Sequence, residues 1–427
     1  MARKPNIVQH PDSPVLMDHE FVGRPEMPDF DYVADTWYDP DKGFDPKINY
    51  SKLRVITPEV SKILWEACDK DLLWEMRMFT HNVQRCWEIN YGVRPVEHYI
   101  EPHPALGLSF EYFGFWVTAD DRLRYIAENI TTNPNLPLID QIGNGLASHF
   151  YGARNVHQTM SGIEDPKLAL VDYTKLAEEQ LQFKNTGEVG TYTKHMREFL
   201  EHQKKMGQKL WGTTELHTSL QTAGRRWVND WYLNDRMNAS KGSSNNVNEW
   251  IASFKNSGLM QQMLDNSGLK SMCEILGTEW GIGDYYKFHG GSDLSLCPQL
   301  NAYIDERYVL PGPGATDILR KLYPSLTSKE VSMSDRVIWY RENQHWLLGL
   351  PEIHPFFHKL EVNGINIFPE PINEIKTTQA EVNHCQFGIY CDLKANPSKI
   401  SKRQVARNDG GNSCAIDNQM TGLSEEW

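Results

Sequence analysis

Residues 268 to 317 constrain the fold more than any other stretch of the chain. Apolar side chains recur at helical spacing at Leu269, Met272, Ile275 and Leu276 and stop at Gly277. A turn, Trp280-Gly281-Ile282-Gly283, leads at once into a second helical start at Asp284, followed by Tyr285, Tyr286 and Phe288. This outlines a helix-hairpin-helix. Glycines let the chain turn tightly and approach a partner closely. The unpaired N–H groups that open the second helix could face a nucleic-acid phosphate, which makes Gly281 and Gly283 candidate DNA contacts. Asp284 opposes an anion there. About twenty residues downstream come Asp305 and then Leu310-Pro311-Gly312-Pro313-Gly314-Ala315.

The other segments also read as helical. Thr57-Pro58-Glu59 combines a capping hydroxyl, a proline at the first helical position and an acid in the first turn. Apolar residues follow at Val60, Ile63, Leu64 and Ala67, and resume at Leu72, Leu73 and Met76 after a break near Asp69-Lys70-Asp71. Helices are expected over 121–129, 139–157, 335–348 and 376–394, with two more in 165–210 split at Gly187-Glu188-Val189-Gly190. No β-alternation dominates and no repeat of 20–50 residues is visible. The fold class is therefore mostly α. The expected organisation is an extended acidic, proline-bearing arm over 1–56, a helical domain over 57–395 and a polar tail over 396–427.

Composition narrows the function classes. The net charge of −13 is unfavourable for phosphate affinity, although residues 194–226 are locally basic. Arg225 and Arg226 precede Trp227 and Trp231, an interleaving on which an unpaired base could stack; two tryptophans four residues apart equally fit a helix packing into the core. Seven scattered cysteines without a CxxC pair read as reduced thiols, which gives a cytoplasmic expectation. No apolar run approaches a membrane span. There is no GxxxxGK[ST] phosphate loop, no HExxH and no G-x-S-x-G elbow.

Three stretches in chain order, His149-Phe150-Tyr151-Gly152-Ala153-Arg154-Asn155, the hairpin with Asp305 and GPGA, and Glu381-Val382-Asn383-His384-Cys385-Gln386-Phe387-Gly388-Ile389-Tyr390, resemble the alpha-glutamyl/putrescinyl-thymine pyrophosphorylases, or amino acid:DNA transferases. The same helical domain is fused to phage 5-hydroxymethyluracil DNA kinases. The resemblance covers about residues 120 to 394. It implies a helix-hairpin-helix, DNA-glycosylase-like fold with two helical lobes around a cleft. It also implies transferase activity on phosphorylated 5-hydroxymethyluracil in double-stranded DNA, in the cytoplasm of an infected host cell. The implied partners are that DNA, a free amino acid or polyamine, and a 5-hydroxymethyluracil DNA kinase; no cofactor and no membrane is implied. A segment at about 160–255 stands as an insert against the family, and His289-Gly290-Gly291 is expected to interrupt or bend the helix after the hairpin.

Such chemistry needs a flipped base, cations or N–H groups for the departing phosphate, and a group to take the amine's proton. Asp305 is the first candidate for base or charge stabiliser, and an exposed loop acid beside Glu306 is the alternative. Asp293 is the second, or the cap of the next element. Glu381 and His384, one helical turn apart, could act as acid and base or serve structure. Arg154 with Asn155 suits phosphate or a base edge, or an internal ion pair. Gly312 and Gly314 could form an N–H-rich nest or a plain turn. Arg341 belongs to a polar run, Arg341-Glu342-Asn343 with His345, that lines a cleft or faces solvent. Two rival activities remain open: a glycosylase that removes a modified base, and a non-catalytic DNA-binding subunit.

Overall fold

The computed structural model describes residues 56–90, 110, 113, 126–151, 170–205, 247–266, 268–278, 284–294, 296–300, 308–347, 361–362, 364–367 and 375–399. These residues are almost entirely helical and fall into two compact units.

The first unit holds the described residues up to 113, those of 308–347 and those of 375–399. Its helices are α1 (Pro58–Ala67), α2 (Lys70–Asn90), α10 (Pro313–Leu322), α11 (Met333–Glu342), α12 (Gln344–Leu347) and α13 (Thr377–Ala395). The expected start of α1 is present: Thr57 is the N-cap, its hydroxyl accepts from the Val60 N–H at 3.4 Å, and Pro58 follows. Asp69 breaks α1 from α2 because its carboxylate accepts from the N–H groups of Asp71 and Leu72, at 3.1 and 3.0 Å, opening a new helix. Its own N–H donates to the Leu322 carbonyl at 2.7 Å and so ties α2 to the end of α10. An aromatic core of Phe79, Phe110, Phe113, Phe387 and Tyr390 joins α2 to α13, with Phe79 centred 5.5 Å from Phe387 and 5.1 Å from Tyr390. Arg336 of α11 is fully buried and holds the preceding loop, donating to the carbonyls of Leu326 and Thr327 at 3.0 Å and of Val331 at 3.3 Å.

The second unit runs from a π-helical turn, Ala127–Thr131, through α3 (Leu138–Tyr151), α4 (Tyr173–Thr186), α5 (Thr191–Lys205), α6 (Val247–Asn256), α7 (Leu259–Asp265), α8 (Leu269–Leu276) and α9 (Asp284–Leu294). It also contains a short antiparallel ribbon, Glu361–Val362 paired with Ile365–Asn366, whose turn uses Gly364 at φ 77°. The expected split between α4 and α5 is made by Gly187, a left-handed C-cap at φ 74°. Glu179 then caps α5, accepting from the N–H groups of Tyr192 at 3.0 Å and Thr193 at 2.8 Å. The described part of the segment read as an insert does not stand apart. Leu176, Ala177, Trp250, Ile251 and Phe254 share one core with Ile142 and Leu146 of α3 and Met272 of α8.

Two expectations change. Helix α9 passes through Gly290 and Gly291 instead of breaking there. A Cβ at Gly290 would stand 3.1 Å from Leu146, and one at Gly291 3.1 Å from both Cys273 and Leu269; the two glycines let α9 lie directly on its neighbours. The polar run at Arg341-Glu342-Asn343 is buried, not solvated. The turn at 279–283 and the segments 121–125 and 152–157 lie outside the described residues.

One stability prediction follows from the second unit. A Cβ on Gly143 would stand 2.4 Å from the Tyr173 ring, and that ring is anchored by its hydroxyl, which donates to Asn248 at 2.8 Å. Gly143→Ala is expected to cost roughly 1–3 kcal/mol, read from urea unfolding, because the ring is buried as well as tethered at its hydroxyl.

Candidate active site

Three helices of the first unit meet at a buried polar node. The Asn383 amide on α13 donates to the Tyr340 hydroxyl on α11 and to the Thr80 hydroxyl on α2, both at 2.9 Å. Thr80 passes its own proton to the Met76 carbonyl at 2.8 Å. All three side chains are buried. Both amide protons are thus spent within the node, and the crossing of the three helices is fixed by it.

His384 lies beside this node. Its ring stands edge-on to Tyr340, centroids 4.5 Å apart, and is fully buried. Nδ1 sits 2.7 Å from the Ala380 carbonyl. A carbonyl only accepts, so Nδ1 carries the proton and Nε2 carries the lone pair. Nε2 is buried and has no hydrogen-bond partner among the described residues. Burial pushes the imidazole down to about 4, against the opposing pull of the Ala380 bond, so the ring is neutral at pH 7.

Glu381 lies one turn earlier on α13 and is also buried. Its Oε1 accepts from the Gly312 N–H at 2.9 Å, at the start of α10. Burial pushes its carboxyl up to about 7, with the Gly312 bond pulling the other way. A buried carboxyl that titrates near neutrality can give or take a proton there. Gly312 is the N-cap and Pro313 the first helical residue. Gly314 lets α10 settle on α13: a Cβ there would stand 2.7 Å from the Cys385 sulfur, and a Cβ on Gly388 3.3 Å from the Gly314 carbonyl. Arg341 is buried at the end of α11 and donates through Nε to the Ile375 carbonyl at 3.3 Å. Gln344 pairs with both backbone groups of Ile375, accepting from its N–H at 2.7 Å and donating to its carbonyl at 3.0 Å.

Of the residues singled out in the sequence, Glu381, His384, Gly312, Gly314 and Arg341 all fall in this unit, and Glu381 and Gly312 touch. Asp293 falls in the second unit, buried in the last turn of α9, where its carbonyl accepts from Leu296 at 3.1 Å. Asp305, Arg154, Asn155, Arg225, Arg226, Gly281 and Gly283 lie outside the described residues. The sequence reading passed over Thr80, Gln84, Glu88 and Tyr340. A signal for three of them is present: Thr80, Gln84 and Glu88 recur every fourth residue on a helix otherwise lined by Phe79, Val83 and Trp87.

The two shifted groups oppose each other in pH. The raised Glu381 binds its proton more tightly in the folded chain, so its contribution is full below the ordinary 4.5 and is lost as pH rises to about 7. The depressed His384 contributes fully above the ordinary 6.5 and loses that contribution as pH falls to about 4. Between pH 4.5 and 6.5 the slopes oppose. Glu381→Gln, which keeps an acceptor for Gly312, is expected to expose the His384 slope, so that stability drops on acidification. His384→Phe is expected to expose the Glu381 slope, so that stability drops on alkalinisation. Urea unfolding midpoints across that range check both signs.

Among the described residues no helix is long and apolar enough to cross a membrane. No curated protein and no solved structure matches the chain. Residues 176–387 match the family model for the helical domain of 5-hmdU DNA kinase. The matched span begins inside α4, runs through the described part of the segment read as an insert, and ends at Phe387 in the helix that carries Glu381 and His384. Over this span the chain is similar to that helical domain.

Proposed function

We propose that the chain transfers an amino acid or amine onto phosphorylated 5-hydroxymethyluracil in double-stranded DNA, releasing phosphate or pyrophosphate. The observation that carries this reading is the match of residues 176–387 to the 5-hmdU DNA kinase helical domain. The buried acid–base pair on α13 supports it.

In the proposed step the amine nitrogen attacks the methylene carbon on C5 of the base. The C–N bond forms, the C–O bond to the phosphoryl group breaks, and the oxygen leaves with the electron pair. The surplus proton on nitrogen passes to a base. Glu381 suits that task, because a carboxyl near neutrality matches the optimum for proton transfer at pH 7. Asp305 is the second candidate. Arg154 and Asn155, and separately Arg341 with the N–H of Gly314, are assigned to phosphate or a base edge; the Gly312 N–H is taken by Glu381 Oε1. Arg225, Arg226, Gly281 and Gly283 are assigned to the DNA backbone, and Asp293 follows Asp305 as a further candidate base or charge stabiliser.

The test follows phosphate and pyrophosphate release from a phosphorylated 5-hydroxymethyluracil duplex with the full chain. Release that requires glutamate or putrescine is the expected result. Abasic sites would overturn the reading in favour of a glycosylase, and DNA binding without release would favour a non-catalytic subunit. Asp305→Asn beside Glu381→Gln identifies the base: that variant loses turnover and keeps its DNA affinity.

A further inference from the structure

Helix α13 presents two stripes to two different neighbours. Glu381, Cys385 and Gly388 recur at i, i+4 and i+7 and face α10. Glu381 Oε1 accepts from the Gly312 N–H at 2.9 Å. Glycine brings the two backbones together just beyond it, since a Cβ on Gly314 would stand 2.7 Å from the Cys385 sulfur. Asn383, Phe387 and Tyr390 recur with the same spacing and face α2. The Asn383 amide meets the Thr80 hydroxyl at 2.9 Å, and the Phe387 and Tyr390 rings meet Phe79. Glu381 and Asn383 are thus separated by about 200° around the axis and lie on opposite sides of one helical turn.

The contacts on the α2 side differ in what they fix. Ring packing excludes water but is weakly directional, whereas a hydrogen bond weakens steeply off its axis. Asn383 is fully buried and spends one amide proton on Thr80 of α2 and the other on Tyr340 of α11, both at 2.9 Å. Thr80 is itself held by its bond to the Met76 carbonyl at 2.8 Å. Two directional bonds to two separate helices leave α13 one angle about its own axis. We infer that Asn383 is a positioning residue: by bonding Thr80 and Tyr340 it fixes the rotation of α13 at which Glu381 reaches the Gly312 N–H. Its consequence for turnover rests on the amine-transfer reading, with Glu381 as base. Without the pin α13 turns, and Glu381 loses the bond that favours its ionised form. The nearest ionisable groups on the same helix do not change charge around neutrality, because burial pushes His384 down to about 4 and Cys385 up to about 12.

The test is Asn383→Leu in the full chain, with the glutamate side-chain carboxyls isotope-labelled and the Glu381 resonance identified by its absence in Glu381→Gln. Leu keeps the branched shape of Asn without its donors, and thermal melting verifies that the variant is folded. The Glu381 titration is expected to move up by about one pH unit or more, as for a lost hydrogen bond to a charged group. Turnover at pH 7 is expected to fall about fivefold, because a smaller share of the carboxyl is then ionised, with KM for the amine unchanged. Tyr340→Phe keeps the ring against His384 and strands one Asn383 donor. It is expected to move the titration in the same direction by less, and it decides the matter where Asn383→Leu does not fold. A variant that melts earlier yet titrates and turns over like the native chain has lost stability alone, and overturns the inference. Failure of the two readings is separable. A displaced Glu381 titration in a chain that transfers no amine rejects the transfer reading and keeps the positioning role. Amine transfer by the variant at the native rate, with the native titration, rejects the positioning role and keeps the reading.

Discussion

Glu381→Gln is expected to slow amine transfer about 10²–10⁴-fold with DNA affinity unchanged, the range typical of a lost general base. Gln keeps the acceptor that meets the Gly312 N–H at 2.9 Å, so the start of α10 stays in place and the loss reports on the proton alone. The second readout is the pH profile. With the Glu381 carboxyl pushed up to about 7 by burial, the native rate should rise through neutrality as the base ionises. His384, pushed down to about 4, stays neutral across that range and adds no inflection. In the variant the inflection near 7 should vanish together with the rate. A profile that kept it would move the base elsewhere, with Asp305 as the first residue to examine.

Arg336→Met is expected to destabilise the first unit by roughly 3 kcal/mol or more, the scale of stranding several buried acceptors at once. The guanidinium is fully buried and holds the carbonyls of Leu326, Thr327 and Val331. It also lies over the Tyr323 ring, 5.5 Å from its centroid. Met fills much of the volume but donates nothing, so the loop between α10 and α11 loses the group that it wraps around. Urea unfolding should show a lower midpoint. A loss below about 1 kcal/mol would mean that the loop finds water or other donors for those carbonyls.

Local chemistry made much of the fold legible. Thr57-Pro58-Glu59 predicted the start of α1, Asp69 the break before α2, and Gly187 the end of α4, because each acts through its own few neighbours. The late helix was expected over 376–394 and spans Thr377–Ala395. The two glycines in α9 misled because a helical glycine costs stability locally, while its benefit is the close approach of Leu146 and Cys273 from elsewhere in the chain. The same limit applies to the candidate site. Glu381 and His384 stood out as a pair one turn apart, yet nothing local showed that Thr80, three hundred residues earlier, would bind Asn383 beside them. Burial was the second hidden quantity. Arg341 and Glu342 look like a solvated helix face in sequence and are interior in the fold, because α11 is enclosed on that side as well.

The most direct test of the central claim is a nucleoside mass profile. Duplex DNA carrying phosphorylated 5-hydroxymethyluracil is incubated with the full chain and a pool of amino acids and polyamines, then digested to nucleosides. A new nucleoside, heavier than 5-hydroxymethyldeoxyuridine by one amine less water, is the predicted result and names the donor. Recovery of the phosphorylated nucleoside unchanged, or its loss as free base with abasic sites, would contradict the account.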